Sequence, residues 1–195
     1  HRPRGAARQG CPMTLIGLTG PAGAGKDTVA ATLAREYDFV RMSFASPIKD
    51  ALVSMFGLDR AVFSGAAKEA PIDWLGKSPR QLMQTLGTEW GRGLVRDDVW
   101  IRHAERRLAY HLAISGRIVI TDVRFDNEAA WLRRRGGHVW HVVRTDRARV
   151  NPHTSEAGVQ FDAEAGDDLI DNNHGLDHLA DAIRDAVGPI LKGQP

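Results

Sequence analysis

Gly20-Pro21-Ala22-Gly23-Ala24-Gly25-Lys26 is the stretch that decides the fold, because it matches the pattern G-x-x-x-x-G-K. The apolar run from Met13 to Thr19 predicts a strand before it, and the pattern from Lys26 to Tyr37 predicts a helix after it. Glycines let successive backbone N–H groups turn toward one anion, while the helix N-terminus and the lysine ammonium add positive potential. The stretch therefore predicts a phosphate-binding loop between a strand and a helix.

The residue after the lysine departs from the usual pattern. Ser or Thr is common there because its hydroxyl ligates Mg²⁺, whereas this chain has Asp27 followed by Thr28. A carboxylate suits a hard cation but would lie near phosphate charge, so Asp27 either acts through a bound water or leaves the metal to Thr28. With ATP and Mg²⁺ as the expected cofactors, the predicted cofactor-binding residues are Gly20, Ala22, Gly23, Ala24, Gly25, Lys26, Asp27 and Thr28.

Strand and helix patterns alternate along the rest of the chain. Strands are predicted at 39–44, 117–121, 137–143 and 169–170, and helices at 47–56, 79–92, 102–114, 128–135 and 176–191. Residues 57–77 show no clear period. Repeated βα units predict an α/β fold in which helices cover both faces of a parallel sheet, with ligands bound beyond the carboxyl ends of the strands.

Length, charge and cysteine content restrict the class of protein. With 195 residues, 43% of them hydrophobic, the chain suits one domain at 13–195, and the Arg-rich, aperiodic residues 1–12 are interpreted as a tail or tag. A net charge of +2 gives no reason to expect a nucleic-acid polymer as partner. No apolar run reaches the roughly 18 residues that span a bilayer, and the single Cys11 fits a reducing compartment. A cytoplasmic protein is expected, with a homodimer left open.

Residues 144–166 are predicted to form a lid. Arg144, Arg147 and Arg149 lie in this aperiodic segment, as expected of a loop that closes on transferring phosphates, although a solvated charged loop is the alternative. The chain carries no Asn-Lys-x-Asp guanine signature and is short for a motor domain. These observations favour a small-molecule kinase. A phosphate-monoester acceptor is already a nucleophile, so no general base is expected.

The segment from Pro79 to Arg92 indicates an acceptor pocket. Ser78 and Pro79 are typical of a helix start. Wound as a helix, the segment has a packing face of Leu82, Met83, Leu86 and Trp90. The opposite face, available to a ligand, carries Arg80, Gln84, Gly87, Thr88 and Gly91.

A carboxylate ends the strand predicted at 117–121. Asp122 follows this strand directly, and Arg124 and Glu128 come two and six residues later. We expect all three to face the cleft, with Asp122 holding Mg²⁺ through water or contacting the acceptor, unless it caps the helix that follows. Trp100 precedes a predicted helix, where base stacking and a hydrophobic staple are equally consistent with the pattern.

From Met13 onward the chain resembles the deoxynucleoside monophosphate kinases of bacteriophages and prophages. The resemblance rests on GLTGPAGAGKDT, FASPIKDAL, SPRQLMQTLGTEWGR, ITDVRFDNEA, GGHVWHVVR and HTSE, of which QTLGTEWGR and TDVRFDNEA are the specific blocks. It implies a three-layer phosphate-loop kinase fold with a small acceptor-binding region and a lid. It also implies transfer of the ATP γ-phosphoryl group to a deoxynucleoside monophosphate.

The resemblance also implies roles for individual residues. Lys26, Arg124 and Arg144 would be catalytic, Asp27, Thr28 and Asp122 would serve the metal, and His153 and Glu156 would belong to the lid region. Asp171-Asn172-Asn173 is similar to an adenine-flanking turn, with a plain loop as the alternative. The implied acceptor-site residues are Lys49, Arg80, Gly87, Thr88, Trp100, Asp122, Arg124 and Glu128.

Two other functions stay open from the sequence. Phosphomevalonate kinases are more distantly similar, which leaves another small metabolite as acceptor. A nucleotide-binding switch or DNA-associated ATPase accessory belongs to a different class, and it would respond to DNA or a protein partner instead of to a monophosphate.

Overall fold

A parallel sheet forms the centre of the protein. The computed structural model describes residues 13–145, 153 and 158–193, and in this part of the chain five strands have the order β2-β3-β1-β4-β5. All neighbouring strands are parallel. The strands are β1 (Thr14–Thr19), β2 (Val40–Met42), β3 (Arg117–Ile120), β4 (His138–Val143) and β5 (Asp168–Asp171).

Helices alternate with these strands. Two 3₁₀ turns (Arg60–Phe63 and Gly65–Lys68) and a π-helical segment (Thr85–Val95) lie between α2 and α4. No helix among the described residues is both long and apolar enough to cross a membrane. The helices are α1 (Lys26–Tyr37), α2 (Ser46–Phe56), α3 (Pro79–Gln84), α4 (Val99–Ile114), α5 (Asp126–Arg133) and α6 (Leu176–Lys192).

The central strand β1 is buried from both sides. Ile16 and Leu18 pack with α1 and with Ile183 of α6, while Leu15 packs on the other face with α4 and with Trp131 of α5. Successive side chains of a strand point to opposite faces, so a strand buried along its whole length, as β1 is, needs cover on both. The predicted α/β fold, a parallel sheet between two layers of helices, is confirmed.

A third hydrophobic cluster lies outside these two layers. Ile48 and Leu52 of α2 pack there against Phe63 of the first 3₁₀ turn, with Leu82 and Leu86 from the region of α3. This cluster gathers α2, the 3₁₀ turns, α3 and the π-helical segment into a small subregion. The resemblance implied such a subregion, and the aperiodic stretch 57–77 supplies part of it.

Helix α3 begins as predicted. Ser78 is its N-cap, and a capping box joins Ser78 and Gln81: the Ser78 hydroxyl accepts from the Gln81 N–H at 3.3 Å, and the Gln81 side chain accepts from the Ser78 N–H at 2.9 Å. Pro79 occupies the first turn, where its missing N–H leaves no helical bond unmade. The local sequence therefore sets the start of this helix without help from distant residues.

The remainder of this segment differs from the prediction. From Thr85 the chain winds as a π-helix, whose i→i+5 bonds place more residues in each turn than an α-helix does. The side chains consequently shift around the axis. Trp90, predicted on the packing face, is 48% exposed, and Gly91, predicted on the ligand face, is buried against the Trp100 ring. Both predictions are wrong because they assumed α-helical spacing.

Candidate active site

The phosphate-binding loop needs glycine at two positions in particular. Gly20 and Gly25 have φ values of +136° and +104°, which L side chains rarely adopt. A Cβ on Gly20 would lie 2.3 Å from the Val142 carbonyl oxygen, and one on Gly25 would lie 2.2 Å from Asn172 Nδ2. Backbone conformation and lack of space therefore both require glycine here, as the sequence pattern predicted.

Lys26 folds back over its own loop. Its ammonium donates to the carbonyl oxygens of Gly20 at 2.7 Å and Pro21 at 2.8 Å. The side chain of Asp27 is 93% exposed and forms an ion pair with Arg41 at 3.4 Å. Thr28 is also exposed. The loop thus presents a lysine and a carboxylate at adjacent positions of the first turn of α1.

A single cleft of about 1280 Å³ connects this loop with the small subregion. Its lining among the described residues includes nine Lys or Arg side chains and four carboxylates. The chain as a whole carries a net charge of only +2. The structure therefore concentrates positive charge in the cleft, as a site for phosphorylated ligands requires.

Most of the predicted site residues line this cleft. Gly20, Ala24, Gly25, Thr28 and Arg144 are not among its described lining residues. Arg147, Arg149 and Glu156, predicted for the lid, lie outside the described residues, as do residues 1–12, which were predicted to be a tail or tag. The predicted residues that line the cleft are Ala22, Gly23, Lys26, Asp27, Lys49, Arg80, Gly87, Thr88, Trp100, Asp122, Arg124 and Glu128.

Asp122 holds the start of α2 from the neighbouring strand. Its Oδ1 accepts from the Phe44 N–H at 2.8 Å, and its Oδ2 accepts from the Ala45 N–H at 2.9 Å and the Ser43 hydroxyl at 2.8 Å. All three donors belong to residues 43–45, which lead into α2, and the N–H of Ala45, the N-cap, is one of those that a helix N-terminus leaves unpaired. Asp122 therefore acts as a cap, but for α2 and not for the helix that follows it in sequence.

Arg80 is fixed by a carboxylate that the sequence did not indicate. Its Nε donates to both Glu69 oxygens at 2.8 and 2.9 Å, and Nη2 donates to Oε1 at 2.6 Å. Hydrogen bonding by Arg80 holds the pKa of Glu69 below its usual value, against the opposing effect of burial. Glu69 lies in the aperiodic stretch 57–77, where no local pattern distinguishes it from a solvated acid.

Arg92 is a second residue that sequence reasoning missed. Its side chain is only 8% exposed, its guanidinium stacks 3.8 Å above the Phe125 ring, and its Nη1 faces Glu128 Oε1 at 3.5 Å. Nη2 donates to Asp97 and Asn127 at 2.8 and 2.9 Å, while Nη1 is buried without a hydrogen-bond partner in the described part of the chain. Arg92 is the last residue of the QTLGTEWGR block, and membership of that block was the sequence signal that could have indicated a role for it.

The fold buries the carboxyl group of Glu128 and raises its pKa. Burial, the largest effect, raises its pKa from 4.5 to about 7, and the nearby Asp122 adds to the rise. The Arg124 and Phe125 N–H groups donate to Glu128 Oε2 at 2.8 and 3.2 Å and act in the opposite direction. Near neutral pH the cleft therefore contains a carboxyl group close to half protonation.

Trp100 supports the wall of the cleft that the π-helical segment forms. Its indole N–H donates to the Gly87 carbonyl oxygen at 2.7 Å, and its ring lies where a Cβ on Gly91 would meet it at 2.6 Å. Trp100 is the second residue of α4, after the Asp98 cap, so it does not occupy the position of a hydrophobic staple. Its ring also lines the cleft.

The fold and the cleft define a class of protein. A phosphate loop at the central strand of a parallel α/β sheet opens into a cleft with arginines at its other end. This combination is that of a phosphate-loop kinase, in which cations position and neutralise transferring phosphates.

Comparison with known proteins identifies the family. The family model for deoxynucleotide monophosphate kinase matches residues 73–183, more than half of the chain. A protein of Acanthamoeba polyphaga mimivirus, provisionally named a deoxynucleotide monophosphate kinase, is 31% identical over 188 residues, covering 90% of this chain and 96% of its own. The deoxynucleotide monophosphate kinase of Enterobacteria phage T4 is 26% identical, with 90% and 99% covered. The chain belongs to the deoxynucleotide monophosphate kinase family, and it is a nucleotide kinase.

Solved structures agree on the fold. TT1252 from Thermus thermophilus has a TM-score of 0.51 at 18% identity, covering 95% of this chain and all of its own. A provisionally titled kinase from Chloroflexus aurantiacus has a TM-score of 0.50 at 13% identity, with 96% of this chain and all of its own covered. These likenesses support the α/β fold.

Proposed function

We propose that this chain transfers the γ-phosphoryl group of ATP to the phosphate of a deoxynucleoside monophosphate and releases ADP and the deoxynucleoside diphosphate. The observation that carries the proposal is the continuous cleft from Lys26 to Arg80 and Arg124, with nine cationic side chains against four carboxylates among its described lining. Its volume of about 1280 Å³ exceeds the roughly 300–1,000 Å³ of a pocket for one small ligand. Two nucleotides meeting end to end match this charge and size.

The reaction needs alignment and neutralisation of charge. An acceptor phosphate oxygen forms a bond to the γ-phosphorus as the bond to the β–γ bridging oxygen breaks, so no side chain has to remove a proton from the nucleophile. Lys26 would face the donor phosphates, and Arg124 would hold the acceptor phosphate opposite them. Arg144, directly after β4, would join when a lid at 144–166 closes and excludes water.

Magnesium is the expected metal of this site. The exposed Asp27 carboxylate, beside Lys26 on the first turn of α1, fits a hard cation, and Thr28 offers a hydroxyl next to it. Both Asp122 oxygens already accept hydrogen bonds, so this residue would act on a metal through water. When bound, Mg²⁺ would neutralise charge on the donor phosphates.

The acceptor end of the cleft would be formed by the small subregion. Arg80, fixed by Glu69, and Arg92, fixed by Phe125 and Glu128, are rigid cations suited to a phosphate or to base-edge oxygens. Lys49, Gly87, Thr88 and Trp100 line the same end. Family relatives are named as kinases of deoxynucleotide monophosphates, which supports this acceptor class.

A panel of acceptors tests the proposal. The chain is incubated with ATP, Mg²⁺ and each of the four deoxynucleoside monophosphates, with ribonucleoside monophosphates and phosphomevalonate as comparisons, and diphosphates are separated by ion-exchange chromatography. We expect a diphosphate from at least one deoxynucleotide. Lys26→Ala should lower turnover by about 10²–10³-fold, whereas Lys192→Ala, at the exposed end of α6, should leave it unchanged.

Two outcomes would replace the proposal. Turnover of phosphomevalonate with none of the nucleotides would indicate a different metabolite kinase. ATP hydrolysis that responds to DNA and is indifferent to every monophosphate would indicate a nucleotide-dependent accessory protein.

A further inference from the structure

Three side chains that commonly ligate metals meet at the turn between β5 and α6, outside the cleft. Asp171 ends β5, His174 lies in the turn, and His178 lies in the first turn of α6. Asp171 Oδ2 is 3.4 Å from His174 Nε2 and 3.9 Å from His178 Nε2, and one ligand atom from each residue lies within 4.8 Å of the others. We propose that this Asp-His-His cluster binds one divalent transition-metal ion of the Zn²⁺ type.

The spacing of these atoms suits such an ion. Zn²⁺ bonds nitrogen and oxygen at about 2.0–2.2 Å, which separates the ligands of a tetrahedral site by about 3.4 Å. The three side chains are 45–65% exposed, so small rotations about their side-chain bonds close the remaining gap. The two imidazole rings already lie with centroids 4.8 Å apart.

The carboxylate is oriented by a neighbour in the same turn. Asp171 Oδ1 accepts hydrogen bonds from the Asn173 backbone at 3.0 Å and from the Asn173 side-chain amide. This arrangement turns Oδ2 toward the two histidines. Hydrogen bonds to a ligating carboxylate fix its orientation in metal sites in the same way.

The set of donors selects the kind of metal. Two imidazoles and one carboxylate favour Zn²⁺ or Co²⁺ over Mg²⁺, which prefers oxygen ligands and keeps its water. The positive end of the α6 dipole, equivalent to roughly half a charge, opposes a cation here. The Asp171 carboxylate, together with Asp177 in the first turn of α6, supplies more negative charge than the dipole offsets.

A bound ion would strengthen a turn that contacts two other parts of the protein. Asn172 donates to the Ala24 carbonyl oxygen of the phosphate loop at 2.8 Å. Asn173 Oδ1 accepts from the backbone N–H and the hydroxyl of Thr145, each at 2.8 Å. Because the ion would bind the folded turn and not the unfolded chain in this geometry, it should also raise the Tm.

Titration of the 195-residue chain with Co²⁺, after removal of metals with a chelator, tests the site. The visible absorption of Co²⁺ reports its coordination, and Zn²⁺ should displace it while excess Mg²⁺ should not. We expect one ion per chain, and His174→Ala and His178→Ala should each weaken binding by at least about tenfold. His103→Ala is the matched control, because α4 lies on the opposite face of the sheet from α6.

The proposal fails if the wild-type chain shows no saturable Co²⁺ spectrum. It fails equally if both cluster variants bind as the wild type does, since the ion would then lie elsewhere. Far-UV circular dichroism of each variant confirms folding, which we expect because both histidines are exposed. Neither measurement depends on kinase activity, so the result is separate from that of the proposed function.

Discussion

At the scale of single residues, the cleft depends on charged groups that the fold removes from water. Glu128 is 2% exposed, and its closest cationic partner, Arg92, is itself almost buried. Burial of a carboxyl favours its neutral form, and for Glu128 this effect outweighs the hydrogen bonds and the cation that favour the charged form. The first two of the following predictions concern such buried groups, and the third concerns the exposed carboxylate of Asp27.

Glu128→Gln should remove a pH dependence of stability. The pKa of Glu128 is higher in the folded state, about 7 against 4.5, so its stabilising contribution is complete below pH 4.5 and is lost as pH rises through 7. The full shift corresponds to about 3 kcal/mol. Urea unfolding of wild type and variant between pH 4.5 and 8 should show the wild type losing stability relative to the variant. Parallel curves would contradict the assigned pKa.

Arg92→Ala should impair use of the acceptor more than use of ATP. Arg92 lines the acceptor end of the cleft and has a buried Nη1 that faces Glu128 without a hydrogen bond. Loss of a charge-assisted hydrogen bond of about 1.5–3 kcal/mol should lower kcat/KM for the acceptor by about 10–100-fold in steady-state assays. Arg102→Ala, an exposed arginine paired with Asp98 on α4, is the control. Equal effects of both variants would show that Arg92 is not part of the acceptor site.

Asp27→Ala should raise the Mg²⁺ concentration needed for turnover while leaving nucleotide binding measurable. The exposed carboxylate beside Lys26 is the described group best placed to reach a metal on the donor phosphates. Activity is titrated with Mg²⁺, and ATP binding is followed separately by calorimetry. An unchanged Mg²⁺ titration would exclude Asp27 from the metal shell.

At the scale of elements, the π-helical segment is the part that shapes the acceptor end. It is held by contacts with other elements: Gly87 lies against Ile48 of α2, and Gly91 lies against the ring of Trp100. These close approaches leave no room for a side chain. The element therefore depends on its neighbours for its form, whereas α3 before it is set by a local capping box.

Gly91→Ala should destabilise the protein, while Gly93→Ala should not. A Cβ on Gly91 would lie 2.6 Å from Trp100 Cζ2 and 3.0 Å from the Leu86 carbonyl oxygen, whereas the nearest atom to a Cβ on Gly93 is 3.6 Å away. Overpacking should lower the free energy of unfolding by about 1–3 kcal/mol. Urea denaturation of both variants measures the difference. Equal stabilities would show that Trp100 moves aside freely.

In helix α6, the spacing of apolar residues can be compared with their burial. Leu176, Leu179, Ile183 and Val187 recur at helical spacing, and the last three are buried against the sheet. Leu176, which has the same spacing, is 72% exposed. It is the first residue of the helix.

At the scale of the whole molecule, segments far apart in sequence meet at the phosphate loop. Asn172, which follows β5, donates to Ala24, and its amide occupies the space beside Gly25. Parallel strands bring their carboxyl ends to one edge of the sheet, so the loops after β1 and β5 become neighbours. The turn predicted to flank adenine is in this structure a support for the loop that precedes α1.

Asn172→Ala should therefore weaken the donor site selectively. Loss of a hydrogen bond of about 0.5–1.5 kcal/mol should raise the KM for ATP by about 2–10-fold. The KM for the acceptor should stay constant, because Asn172 does not line the cleft that contains Arg80 and Arg124. Steady-state kinetics with each substrate varied in turn measures both constants. A parallel rise of the two would indicate general disruption instead.

The sequence by itself determined the phosphate loop, the α/β alternation and the start of α3, because each depends on residues adjacent in the chain. Glycine spacing, apolar runs and the Ser78 cap carry their physical consequences locally. The helix face of Arg80 and the position of Asp122, Arg124 and Glu128 after a strand predicted that they face the cleft, whereas Lys49 was placed there only through resemblance to a family. The structure brings them together there.

Only the tertiary structure decided the partners of these groups. The pairing of Arg80 with Glu69, the burial of Arg92 and Glu128, the use of Asp122 to cap α2 and the π-helical winding all depend on surfaces from distant segments. Exposure, hydrogen-bond partners and the pKa of a buried carboxyl are set by what packs around a residue. Neighbours in space, unlike neighbours in sequence, exist only once the chain has folded.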